Sequence, residues 1–138
     1  MESVSSILAG LGSFAIYFFI SLFMLVVFKW IYAFVTPHDE WQLVKEQQNT
    51  AAAIGLMGAV IGFAIALAGA ISNSIALLDF VIWGVVALIA QILAFVMVRL
   101  IFMPKIVERI INNEVTAGIV LAGMSIAVGL LNAACMTY

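Results

Sequence analysis

Asn49-Thr50-Ala51-Ala52-Ala53-Ile54-Gly55-Leu56-Met57-Gly58-Ala59-Val60-Ile61-Gly62-Phe63-Ala64-Ile65-Ala66-Leu67-Ala68-Gly69-Ala70 holds no charged residue. It is long enough to cross a hydrocarbon core of about 30 Å as a helix. Gly58, Gly62, Ala66 and Ala70 recur at every fourth position and form one ridge. Ala51, Gly55 and Ala59 form a second ridge beside it. Small ridges let backbones approach closely, and in lipid that packing is a main source of helix association.

The rest of the chain agrees with a bilayer as solvent. Of its 138 residues, 67% are hydrophobic and only 9% charged, against about 25% charged in a soluble domain. The net charge of -2 offers no basic patch for nucleic acid. One cysteine, Cys135, excludes an intrachain disulfide. The N-terminal segment lacks a basic n-region, and its apolar run exceeds signal-peptide length, so no cleaved signal is expected.

Four spans follow from the hydropathy pattern. The first is expected from Ile7 to about Val35, with Lys29 near its end inside a Trp30, Tyr32 and Phe34 belt. Pro37 stops it. Residues 38–48 are polar and predict a short amphipathic surface helix, with Trp41 and Val44 on one face. The second span runs from Thr50 to about Ile71. Asp79 is expected to N-cap a third span from Phe80 to about Phe102. Pro104 stops that span, and residues 105–115 predict a second amphipathic segment. The fourth span runs from Thr116 to about Met136, with small ridges at Gly118–Ala122 and Ser125–Gly129–Ala133. Asn49 and Asn113 are expected to cap the second and fourth spans.

Charge placement sets an expected orientation. Lys29, Lys45, Arg99, Lys105 and Arg109 all lie in or beside the two long loops. Positive residues mark the cytoplasmic side, so both loops are expected inside and both chain ends outside. The order also repeats: aromatic-rich span, proline, amphipathic segment, Asn/Thr/Ala start, glycine-ridged span. This predicts two units, residues 1–74 and 75–138, related in parallel about an axis along the membrane normal. Two unrelated hairpins could share these features by chance.

Thr36-Pro37-His38-Asp39-Glu40-Trp41-Gln42-Leu43, Asn49-Thr50-Ala51-Ala52 and Asn132-Ala133-Ala134-Cys135-Met136-Thr137-Tyr138 resemble the YjfL-like family of bacterial inner-membrane proteins of unknown function. The resemblance covers almost the whole chain. It implies a multi-pass plasma-membrane protein with four spans in a tandem two-span unit, so that the outside ends would be periplasmic. It also hints at a peripheral cytoplasmic partner resembling phage-shock-protein A. It supplies no reaction, ligand or site residue.

Chemistry-bearing groups are few. No carboxylate lies deep in a span, which disfavours a proton-driven pump. His38, Asp39 and Glu40 are sequence neighbours, and a solvated cluster explains them better than a metal site. Cys135 has no histidine partner and reads as a small hydrophobe. No nucleophile–base pair, phosphate loop or cofactor fingerprint occurs, so neither an enzyme nor a cofactor is expected.

What remains is intramembrane polarity. Gln91 lies at mid-depth, Ser125 and Asn132 share a face of the fourth span, and Ser21 and Tyr17 share one of the first. Each is either interhelical hydrogen-bond glue or the lining of a narrow path. The expected fold is an all-α four-span bundle with two short surface helices. Gly55, Gly58, Gly62, Ala66, Gly118 and Gly129 form its packing ridges, and their area suggests contacts between subunits. Two functions compete. One is an oligomeric channel or small-solute transport component near Gln91. The other is a non-catalytic scaffold that recruits a cytoplasmic partner through Lys45, Lys105 and Arg109.

Overall fold

The computed structural model describes residues 2–36 and 40–136. The readings placed on Pro37, His38, Asp39, Thr137 and Tyr138 lie outside the described residues. Among the described residues the regular elements are all helices, and four of these are long and apolar enough to cross a membrane.

The first of these, α1 (Glu2–Val35), starts earlier than the hydropathy suggested, because Ser3, Ser5 and Ser6 continue the helix. Its 34 residues make it about 51 Å long, well beyond a core of about 30 Å. Thr36 then donates its hydroxyl to the Tyr32 carbonyl at 3.0 Å. The short helix α2 (Glu40–Lys45) follows. Leu43 is its buried residue, while Trp41 is 42% exposed. Leu43 and, in part, Val44 therefore turn to the bundle.

α3 (Thr50–Asn73) carries the glycine ridges and forms the centre of the fold. α4 (Leu77–Met97) starts three residues before the expected Phe80, on Ala76 as its N-cap residue. Asp79 is thus not the cap. It sits in the first turn and accepts the Ile75 N–H at Oδ2, 3.1 Å away. A carboxylate reaching back in this way satisfies an orphan donor and suits the positive helix end.

α4 does not end as an α-helix. Val98–Phe102 is a π-helical turn, and the Met103 N–H donates to the Val98 carbonyl at 2.8 Å. The extra residue per turn turns Leu100, Ile101 and Phe102 outward while Val98 stays buried. α5 (Ile106–Ile111) buries Ile106 and Ile110. α6 (Val115–Cys135) completes the bundle.

Two pairs of spans run in the same direction. Along α3 and α6, Ala51 faces Gly118, Gly55 faces Leu121, Gly58 faces Ala122, Gly62 faces Ser125 and Gly129, and Gly69 faces Ala133. Both numbers rise together, so these helices are parallel. α1 and α4 are parallel too: Tyr17 packs on Phe80 at 5.4 Å, Met24 fills the space over Gly84, and Tyr32 meets Phe95 edge-on at 5.8 Å. α1 crosses α3 antiparallel, with Phe28 stacked on Phe63 at 4.5 Å.

Candidate functional site: the buried polar seam and the loop platform

Gln91 projects from α4 into the α3–α6 contact. It is fully buried, at 0% exposed. With the amide oriented to suit its surroundings, Nε2 donates to the Ser125 carbonyl at 3.2 Å. Oε1 then accepts the Gly129 N–H at 3.2 Å. One side chain thus grips both ends of a single backbone turn of α6. It fits because Gly62 carries no Cβ: one added there would lie 2.9 Å from the Gln91 amide.

The four polar candidates are not gathered in one place. Gln91 and Ser125 meet. Asn132 lies about two turns further along α6. Ser21 donates to its own Tyr17 carbonyl at 2.6 Å, on a different helix. Among the described residues, the buried Ser125 Oγ and Asn132 Nδ2 have no hydrogen-bond partner. Gln91→Leu should cost about 1 kcal/mol of stability, the scale of an interhelical hydrogen bond in a membrane bundle. Thermal unfolding in detergent checks it. A loss above about 3 kcal/mol would mean Gln91 holds more than α6.

The packing ridges meet each other inside one chain. A Cβ on Gly58 would meet Ala122, one on Gly118 would meet the Ala51 carbonyl, and one on Gly129 would meet the Gly62 carbonyl. Ala66 is buried on the same helix face. This use of the ridges removes the reason for assigning them to contacts between subunits.

At the other end of α3 the two polar loops are tied together. Asn49 caps α3, its Oδ1 accepting the Ala52 N–H at 2.9 Å. Its Nδ2 donates to the carbonyls of Ile110 at 2.8 Å and Ile111 at 3.2 Å, at the end of α5. Asn113 does not cap its own span, as the sequence suggested. Glu114 is the N-cap residue of α6 and makes no side-chain cap bond. Asn113 Oδ1 instead accepts the Ala51 N–H of α3 at 3.0 Å. Its backbone is left-handed, φ 59°, as is that of Gln48, φ 51°. Asparagine tolerates that region better than most residues. The sequence signal for this exchange was the second Asn before a glycine-ridged span, but its target lies 62 residues away.

This tie makes one platform of the α2 and α5 loops. Lys45 and Lys105 are exposed on it, and Arg109 pairs with Glu114 at 3.3 Å. No described group of three His, Cys, Asp or Glu side chains converges for a metal ion.

Comparison with known proteins fits this architecture. Residues 6–136 match the family model described as Domain of Unknown Function DUF350. The chain is 43% identical over 132 residues to UPF0719 inner membrane protein YjfL of Escherichia coli strain K12, covering 96% of this chain and 98% of the relative. The protein of the same name from Escherichia coli O157:H7 matches to the same extent. No solved structure matches. With its four apolar helices, and with a family model matched over nearly its whole length, the chain belongs to the DUF350 family.

Proposed function

We propose that the protein is a non-catalytic inner-membrane scaffold whose α2–α5 platform recruits a peripheral cytoplasmic partner. The observation that carries this reading is the Asn49–Asn113 exchange, which holds two polar loops as one surface. Such a surface carries Lys45 and Lys105 exposed and Arg109 paired with Glu114. The same loops carry Glu46, Glu108 and Glu114, so a mixed-charge face of a phage-shock-protein-A-like protein is the partner chemistry that fits.

The loop cations also support a cytoplasmic platform with both chain ends periplasmic. The parallel pairs α1/α4 and α3/α6, each with a short helix and a left-handed residue before its ridged span, support a tandem two-span repeat. The enclosure of Gln91 disfavours a path through one subunit. The partnerless Ser125 Oγ and Asn132 Nδ2 favour a second reading, a hydrated seam that becomes a conduit only in an oligomer.

Reconstituted vesicles separate the readings. A purified phage-shock-protein-A-like protein should float with proteoliposomes of the parent. It should stay unbound with the Lys45→Glu, Lys105→Glu, Arg109→Glu triple variant. Cysteine labelling in a Cys135→Ser background should place position 45 inside. Equal flotation of parent and variant, or outside labelling at 45, overturns the scaffold. Solute flux from the same vesicles, lost on Asn132→Leu, would install the conduit reading instead.

A further inference from the structure

A groove runs between α1 and α3. Its walls are Phe18, Leu22 and Leu25 on one side and Ala64, Ala68 and Ile71 on the other. Leu25 is shared with a second recess formed by three elements: Leu25, Val26, Lys29 and Trp30 of α1, Trp41 of α2 and Val60 of α3. There the Lys29 ammonium lies 4.7 Å from the Trp30 ring centroid and 4.6 Å from that of Trp41. Two indole faces hold the cation at a fixed place by cation–π attraction. They accept none of its three N–H hydrogen bonds in the way an oxygen would.

The body of the groove is apolar, since the one hydroxyl on its wall, Ser21, is already bonded to the Tyr17 carbonyl. From Lys29 to Phe18 is about 16 Å along α1, half the hydrocarbon thickness of about 30 Å. A cation at headgroup level, followed by one leaflet's depth of apolar groove, matches one molecular shape. The geometry points to a bound anionic phospholipid of the leaflet on the α2 side. Its phosphate sits on the Lys29 ammonium and one acyl chain lies between α1 and α3. A helix from a second copy would fill the groove too, but would leave the Lys29 ammonium facing an apolar surface.

Native mass spectrometry of the detergent-purified full chain, titrated with dioleoyl phosphatidylglycerol or dioleoyl phosphatidylcholine, tests this. The parent should retain one phosphatidylglycerol with about fivefold preference, the scale of one lysine acting on an anionic lipid. Lys29→Gln should erase the preference, and Lys29→Arg should keep it. Ala68→Trp, a substitution at an exposed position, should block the acyl channel and lose the adduct from a protein of unchanged thermal stability. Equal retention of the two lipids by the parent overturns the site. So does a preference that survives Lys29→Gln, or an adduct that survives Ala68→Trp. A parent dimer that Ala68→Trp converts to monomer would assign the groove to a second copy and also overturn it.

Discussion

Gly129→Ala is expected to unfold the bundle, although it adds a single methyl group. The new Cβ would meet the carbonyl oxygen of Gly62, which belongs to the backbone of α3 and has no rotamer by which to retreat. Relief requires α3 and α6 to part along their shared contact. Overpacking in a rigid core costs about 1–3 kcal/mol. Here the loss of close helix contacts adds to it, because in lipid no hydrophobic term compensates for separated helices. Gly123 is the matched control on the same helix. Nothing lies within 4 Å of a Cβ built there, so Gly123→Ala should be neutral or gain up to ~1 kcal/mol of helix propensity. Thermal unfolding in detergent with size-exclusion profiles reads both variants. Equal stability of Gly129→Ala and Gly123→Ala would refute the α3–α6 contact. Gly62→Leu tests the same contact from the other side, where the Ser125 carbonyl and the Gln91 amide stand in the way. It should be far worse than Leu67→Ala.

The second large effect is expected at Asn49, which is 5% exposed. Asn49→Ala removes an N-cap, about 1 kcal/mol, and two donor bonds to the end of α5 at about 0.5–1.5 kcal/mol each. The total is about 2–4 kcal/mol. Asn49→Asp is the sharper variant. Aspartate caps a helix as well as asparagine does, so a residue acting only as a cap would tolerate it. At this position the carboxylate would confront the Ile110 and Ile111 carbonyl oxygens that now receive an amide. Asn49→Asp should therefore match or exceed Asn49→Ala in cost. Tryptic cutting at Lys105 and Arg109 should also speed up as α5 comes loose. A parent-like Asn49→Asp protein would reduce Asn49 to a cap and remove the main support for a single platform.

The four spans were legible in sequence because length and hydropathy alone determine what a bilayer accepts. Their ends were less so. Leu77 and Leu78 extend α4 ahead of the acid that marked its start, since Asp79 serves equally well inside the first turn. The π turn after Met97 has no compositional sign: Val-Arg-Leu-Ile-Phe would suit an α-helix equally well. The small ridges were visible, but a ridge does not name its partner. Gly58 could have packed on another subunit, and only the fold shows Ala122 there. Gln91 was visible by depth and charge-free surroundings, whereas its acceptor and donor are backbone groups of Ser125 and Gly129, which every residue possesses. Lys29 was visible inside its aromatic belt, but the approach of Trp41 depends on where α2 lies.

The parallel pairing of α3 with α6 has a consequence in time. A ribosome delivers α3 once residue 73 has emerged, and α6 is complete only at residue 135. At about 5–20 residues per second, the glycine face of α3 waits roughly 3–12 s for the helix that covers it. Throughout that interval lipid or an insertion factor fills the space along that face, since the helix satisfies its own carbonyls. A slow codon run before α6 should then lower the yield of folded protein more than the same run placed after it.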